Sequence, residues 1–225
     1  MTAAIILAAG RGERMGANVD KAFLNLGPRP LVACSLLAFE ACAAIGAIVL
    51  VVRQDRFEAA RELCRTLGVS KLFSVVDGGP RRQDSVLSGL AALPPEAELV
   101  AIHDAARPLV TAELIAATVA SARETGSGVA ARKVVDTIKV VADNNVAVST
   151  LDRSNLWAVE TPQTFRTKLI RRAYEVVSNA GQTVTDDAGA LEFIGEKARL
   201  VDWRKPNLKV TVAEDLAIAE SLLRL

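Results

Sequence analysis

A glycine-rich run with fixed cations stands near the start of the chain. It reads Gly10-Arg11-Gly12-Glu13-Arg14-Met15-Gly16 and closes on Asp20-Lys21. Glycine backbones let N–H groups approach phosphate oxygens, and arginine and lysine supply countercharge. The spacing is not G-x-x-x-x-G-K-[ST]. Three residues separate Gly12 from Gly16, so it is not G-x-G-x-x-G either. The loop follows Ala3-Ala4-Ile5-Ile6-Leu7-Ala8-Ala9, an apolar run that reads as a buried strand. The pair spells a polyphosphate site at the carboxyl end of a first β-strand.

Further polar groups sit at the ends of other apolar runs. Asp104 follows Leu99-Val100-Ala101-Ile102-His103 and precedes two alanines small enough to admit a ligand. A carboxylate near a triphosphate suits a hard dication such as Mg²⁺; a turn or N-cap aspartate is the alternative. Arg82 and Ser85 open a helix just after Gly78-Gly79. There the helix N-terminus can bind an anion or a base edge, with capping by Asp84 or Ser85 as the plainer role. The two glycines would let a flat base stack on the backbone. Arg153, Lys209 and Thr185 carry no specific signal by spacing alone, and Thr185 reads as a helix N-cap. His103 reads as structural.

These groups need a scaffold that collects strand ends. Ile48–Val52 and Leu72–Val76 are further strands, and helical patterns lie near Leu31–Ala43, Phe57–Leu67, Asp84–Leu93 and Ala112–Thr125. Continuous apolar strands separated by helices predict an α/β fold: a mostly parallel, twisted sheet covered on both faces. Ligands in such sheets bind beyond the carboxyl ends of the strands. The pattern changes near Val134. Asp136–Val141 and Val146–Leu151 flank an Asp-Asn-Asn turn and predict a hairpin, read as an arm on another subunit because exposed edges invite pairing. The expected organisation is one domain over residues 1–225, with residues 134–156 as the inserted β-arm.

Composition narrows the function. Apolar residues make up 51% of the chain, enough for a core without staples, and the formal net charge is +1. Near-neutrality argues against a nucleic-acid binder. Cys34, Cys42 and Cys64 form no C-x-x-C pair and read as buried thiols in a reducing compartment. The single histidine excludes a multi-histidine metal site. No run has the length of a membrane span or the form of a signal peptide, so a cytoplasmic protein is expected.

Taken together, the motifs resemble those of the 2-C-methyl-D-erythritol 4-phosphate cytidylyltransferases. They are Leu7-Ala8-Ala9-Gly10-x-Gly12-x-Arg14-Met15-Gly16 with Lys21, Gly78-Gly79-x-x-Arg82-x-x-Ser85-Val86, and His103 through Pro108. Asp136-Thr137-Ile138-Lys139, Leu156-Trp157 through Thr161-Pro162-Gln163, Thr185-Asp186-Asp187 and Asn207-x-Lys209-Val210-Thr211 complete the set. The first motif alone marks only the wider nucleotidyltransferase superfamily. The family often has proline before the loop lysine, where this chain has Asp20.

The resemblance implies a Rossmann-like nucleotidyltransferase fold and in-line attack of a sugar-alcohol phosphate on the α-phosphorus of CTP. Arg14 and Lys21 would neutralise the developing charge. Asp104 would hold Mg²⁺ or another divalent cation. Ala8, Ala9, Gly10, Gly12, Gly79, Arg82 and Ser85 would receive the nucleotide, with Asp104 beside them. Thr137, Arg153, Lys209, Thr185 and Arg107 would position the second substrate. The arm would make a homodimer in which Thr137 and Arg153 complete the neighbour's site. A ribitol-phosphate cytidylyltransferase and a non-catalytic nucleotide-binding module are the rival readings. The joint presence of Arg14, Lys21 and Asp104 argues against the second.

Overall fold

Short apolar runs bounded by turn residues become strands buried on both faces. In the computed structural model, which describes residues 1–10 and 20–223, the chain begins with Thr2–Leu7 (β1), a small hairpin of Asn25–Leu26 (β2) and Arg29–Pro30 (β3), then Leu31–Ala41 (α1). Ala47–Val52 (β4), Phe57–Thr66 (α2), Leu72–Asp77 (β5), Arg82–Ala91 (α3), Leu99–Asp104 (β6) and Ala112–Thr125 (α4) follow in alternation. The second half holds Ser127–Lys133 (β7), Lys139–Val141 (β8), Ala147–Thr150 (β9) and Trp157–Arg166 (β10). It ends with Thr167–Asn179 (α5), Asp187–Phe193 (α6), Leu200–Asp202 (β11) and Glu214–Leu223 (α7).

Among the described residues the main sheet has seven strands in the order β11-β7-β10-β6-β1-β4-β5. β1 pairs in parallel with β4 and β6, β4 with β5, and β11 with β7. β10 alone runs against both its neighbours. Alternation along β1 splits the core into two layers. Ala4 and Ile6 face α1, α2 and α4 through Leu36, Phe39, Ala60 and Leu114. Ala3 and Ile5 face α3, α5 and α6 through Val86, Leu90, Tyr174 and Leu191. Burying strands on both faces is what a parallel sheet requires.

The topology decides where a ligand can go. From β1 the chain moves to β4 on one side and later to β6 on the other, so the strand order reverses at β1. The crevice beyond that switch point is the expected ligand position. In the register of β1 with β6, Leu7 lies opposite Asp104. The glycine run thus leaves β1 next to the aspartate; Gly12 and Arg14 themselves lie outside the described residues.

β8 and β9 form a separate two-stranded sheet, as the alternation near Val134 predicts. Asn144 and Asn145 turn it with φ of 62° and 61°, a region asparagine tolerates better than most residues. The hairpin exposes Val140, Val141, Val146, Val148 and Leu151.

Candidate active site

Asp104 ends β6 and anchors the site. Arg82 Nε donates to its Oδ1 at 2.9 Å, and Lys209 Nζ donates to its Oδ2 at 2.6 Å. Arg82 reaches further, with two hydrogen bonds of 3.0 and 2.8 Å to the buried Asp187. Tyr174 Oη donates to the same carboxylate at 2.6 Å. Burial alone would raise the Asp104 carboxyl. The charges of Arg82 and Lys209 outweigh it and hold the group well below the usual carboxylate range. Burial likewise opposes the charge on Arg82, and Asp187 and Asp104 raise its pKa nonetheless. Burial pushes the Tyr174 hydroxyl up, so it stays protonated as a donor. Two acids and two bases thus close a neutral, rigid cluster.

A second network fixes the backbone beneath it. Thr161 Oγ1 accepts the Asp104 N–H at 3.1 Å and lies 3.1 Å from His103 Nδ1. Ser35 Oγ lies 3.3 Å from Nε2, so both ring nitrogens meet a hydroxyl. Burial drives the His103 pKa down to about 3. Both observations make His103 a neutral structural peg, as its apolar setting predicts.

The cluster opens into a cavity of about 130 Å³, walled by Arg82, Asp104, Arg107, Glu160, Thr185 and Lys209. A larger neighbour of about 570 Å³ shares Val159, Thr185 and Asp186 with it. A register shift between Val159 and Gln163 in the pairing of β10 with β7 lies where Glu160 and Thr161 join the cavity wall. Arg107 Nη1 donates to Asn207 O at 2.7 Å and lies 4.0 Å from Glu160. Glu160 accepts from Asn207 Nδ2 at 2.9 Å, so β6, β10 and the Asn207–Lys209 segment are tied together at the rim.

Several local roles differ from the sequence-based expectation. Thr185 is not the N-cap of α6; Asp186 is, accepting from Gly189 N–H at 2.9 Å. That leaves Thr185 on the wall of both cavities. Helix α3 starts at Arg82, just after the two glycines, as expected. Arg81 caps it, and the Asp84 carboxylate accepts the Arg81 N–H at 3.0 Å. Ser85 Oγ accepts the Gly79 N–H at 3.1 Å, so its hydroxyl shapes the turn. The glycines are required by close approach: a Cβ on Gly78 would overlap Ala9, and one on Gly79 would overlap Asp84.

Each Asp104 oxygen faces a cation, Arg82 Nε on one side and Lys209 Nζ on the other. Among the described residues no three or more His, Cys, Asp or Glu converge on one point.

Lys21 heads a 3-10 turn, Lys21–Phe23, and its Nζ donates to Val210 O at 2.9 Å. Ala8 N–H donates to Val51 O at 2.7 Å and ends the strand, with Ala9 and Gly10 next in line. Thr137 and Arg153 are exposed near the arm and line neither cavity. Arg153 donates to Val135 O. Asp187, Tyr174, Glu160 and Asn207 are the residues that sequence reasoning did not single out for the site. Asp187, Glu160 and Asn207 stand within the motifs that carry the resemblance without a role assigned to them, and Tyr174 shows only as a polar group in an apolar helical pattern.

Comparison with known proteins agrees with this architecture. Residues 2–225 match the family model described as 2-C-methyl-D-erythritol 4-phosphate cytidylyltransferase. A protein of that name from Alkaliphilus oremlandii is 40% identical over 224 residues, covering 99% of this chain and 95% of the relative. Another from Geobacillus kaustophilus is 43% identical over 220 residues, covering 98% and 96%. The crystal structure of 4-diphosphocytidyl-2C-methyl-D-erythritol synthase from Anaerococcus prevotii superposes with a TM-score of 0.87 at 31% identity, covering 100% of this chain and 96% of that one. The Thermus thermophilus cytidylyltransferase superposes at 0.82 with 29% identity, both chains fully covered. The chain belongs to the 2-C-methyl-D-erythritol 4-phosphate cytidylyltransferase family, and its reaction is CTP plus 2-C-methyl-D-erythritol 4-phosphate to 4-CDP-2-C-methyl-D-erythritol and pyrophosphate in isoprenoid precursor synthesis.

Proposed function

We propose that the switch-point crevice holds both substrates in line, with CTP along the β1 end and the polyol phosphate in the 130 Å³ cavity. One observation carries this assignment: Arg82, Lys209 and the Asp104–Arg107 segment converge from three separated parts of the chain on one small polar cavity beside the end of β1. Cations there meet phosphate oxygens, and Asp104, Glu160 and Thr185 offer partners to polyol hydroxyls. The attacking phosphate is already anionic near neutral pH, so the neutral His103 is no obstacle. Lys21 and Arg14 act as fixed charges, stabilising negative charge as it builds on the α-phosphoryl oxygens and the leaving pyrophosphate. Neither needs to transfer a proton.

Family members generally use a divalent cation. Here the paired state of Asp104 favours the triphosphate oxygens as its holders.

In the same proposal, residues 1–225 are one nucleotidyltransferase domain, with residues 134–156 as its arm. Its exposed valines suit a second copy of the chain. Thr137 and Arg153 lie outside their own cavity, which supports their completing the neighbour's. The direct test is pyrophosphate release from CTP with methylerythritol phosphate, against ribitol 5-phosphate. Equal rates with both would remove the assigned selectivity.

A further inference from the structure

Lys21 sits on a turn that is gripped from outside. The preceding residue, Asp20, has a side chain only 5% exposed, with Oδ2 at 2.8 Å from Arg56 Nε and 3.9 Å from Arg53 Nη2. The contact is an ion pair: among the described residues neither Asp20 Oδ2 nor Arg56 Nε makes a hydrogen bond. The same Arg56 guanidinium lies 5.6 Å over the Phe23 ring. One arginine therefore touches the residues on both sides of Lys21 and Ala22. Arg53 is itself held by Asp55 through hydrogen bonds of 3.0 and 2.7 Å. Arg53 directly follows β4, the strand beside β1, and Arg56 ends the 3-10 turn Gln54–Arg56 after it, so the grip comes from the turn that leaves β4. Inside the turn Ala22 is buried, and Phe23 N–H donates to Asp20 O at 3.1 Å.

Burying a carboxylate is costly unless it is paired, and this one sits at a position where the family often has proline. The two residues solve one problem in different ways. Proline restricts the backbone through its ring, near φ −65°. Asp20 has φ −79°, inside that range, and is restrained instead by its charge.

We propose that Asp20 and Arg56, closed over Phe23, form an ionic clasp that positions Lys21 for catalysis. Asp20 and Arg56 are positioning residues; they act through the turn. The inference rests on Lys21 being the charge-stabilising group. A displaced charge costs rate rather than nucleotide affinity, because the transition state needs it at a particular point.

The experiment measures steady-state rates with CTP and methylerythritol phosphate, plus melting curves, for K21A, D20N, R56Q, D20N/R56Q and D20P. D20N and R56Q should each lower kcat about tenfold, with the KM for CTP changed less than about threefold. The double variant should be no slower than about the slower single one, since both break one device. D20P should return kcat to within about threefold of the native rate, because proline can adopt the observed φ. Native kcat in D20N and R56Q beside an inactive K21A overturns the clasp. So does a D20P enzyme as slow as D20N. Native turnover in K21A instead overturns the Lys21 reading itself. If D20N does not fold, R56Q decides, because the Arg56 side chain is 38% exposed and its loss leaves the core intact.

Discussion

Lys209 Nζ lies 2.6 Å from Asp104 Oδ2 although the two residues stand 105 positions apart. This pair joins the end of β6 to the segment before α7 on the wall of the smaller cavity. Asp104→Asn should release Lys209 and loosen Arg82. We expect kcat/KM for methylerythritol phosphate to fall at least about tenfold, the scale of one lost charge-assisted contact. The Mg²⁺ concentration for half-activation should stay within about twofold, as the proposed holding of the cation by the triphosphate oxygens requires. A strongly raised Mg²⁺ requirement would return Asp104 to the metal.

Asp187 should matter more to folding than its neighbour Asp186. Asp187 is fully buried and pairs with Arg82 and Tyr174. Breaking a buried pair from one side costs about 3–5 kcal/mol in general. Asp187→Asn should approach the lower figure, since Arg82 keeps Asp104, and should weaken methylerythritol phosphate binding measured by calorimetry. Asp186→Ala removes a cap and should cost about 1 kcal/mol. Equal losses in denaturant titration would contradict the placement of Asp187 at the centre of the cluster.

His103 gives the protein a pH signature. Its pKa is pushed from 6.5 to about 3 by burial, so the unfolded chain binds a proton first as pH falls. Stability contributed by the neutral ring is complete above about pH 6.5 and is lost progressively towards pH 3, by up to about 1.4 kcal/mol per pH unit. Between about pH 6.5 and 5 most carboxylates stay ionised, so this slope is largely His103's own. His103→Gln should flatten it in melting curves. An unchanged slope would show that another group titrates there.

The arm can be tested by complementation. Lys21→Ala and Arg153→Ala should each be nearly inactive. A mixed dimer carries both lesions in one site and neither in the other, so activity should partly return. Arg153→Lys should raise the KM for the sugar phosphate, because an ammonium copies a guanidinium fork poorly. Mixed subunits that demonstrably exchange yet recover nothing would place Arg153 in its own subunit's site.

Much of the scaffold was legible in the chain alone, because its signals are local. The runs at Ile48–Val52 and Leu99–His103 are apolar without alternation, and only a sheet covered on both faces accommodates that. Turn chemistry at Asp143-Asn144-Asn145 marked the hairpin for the same reason. Glycine spacing and nearby cations predict a phosphate loop, since backbone approach and charge depend on neighbours in sequence. Pairing across the fold was different. That Arg82 would meet both Asp104 and Asp187, or that Lys209 would close on Asp104, depends on strand order and on how β10 and α6 return to the crevice. Thr185 shows the limit at one residue: its pattern fits a cap, yet Asp186 holds that position by geometry. The same holds for Asp20, whose partners Arg53 and Arg56 become neighbours only because β4 lies beside β1. Local propensity and spacing act over a few residues, whereas desolvated charge pairs are selected by the packing that buries them.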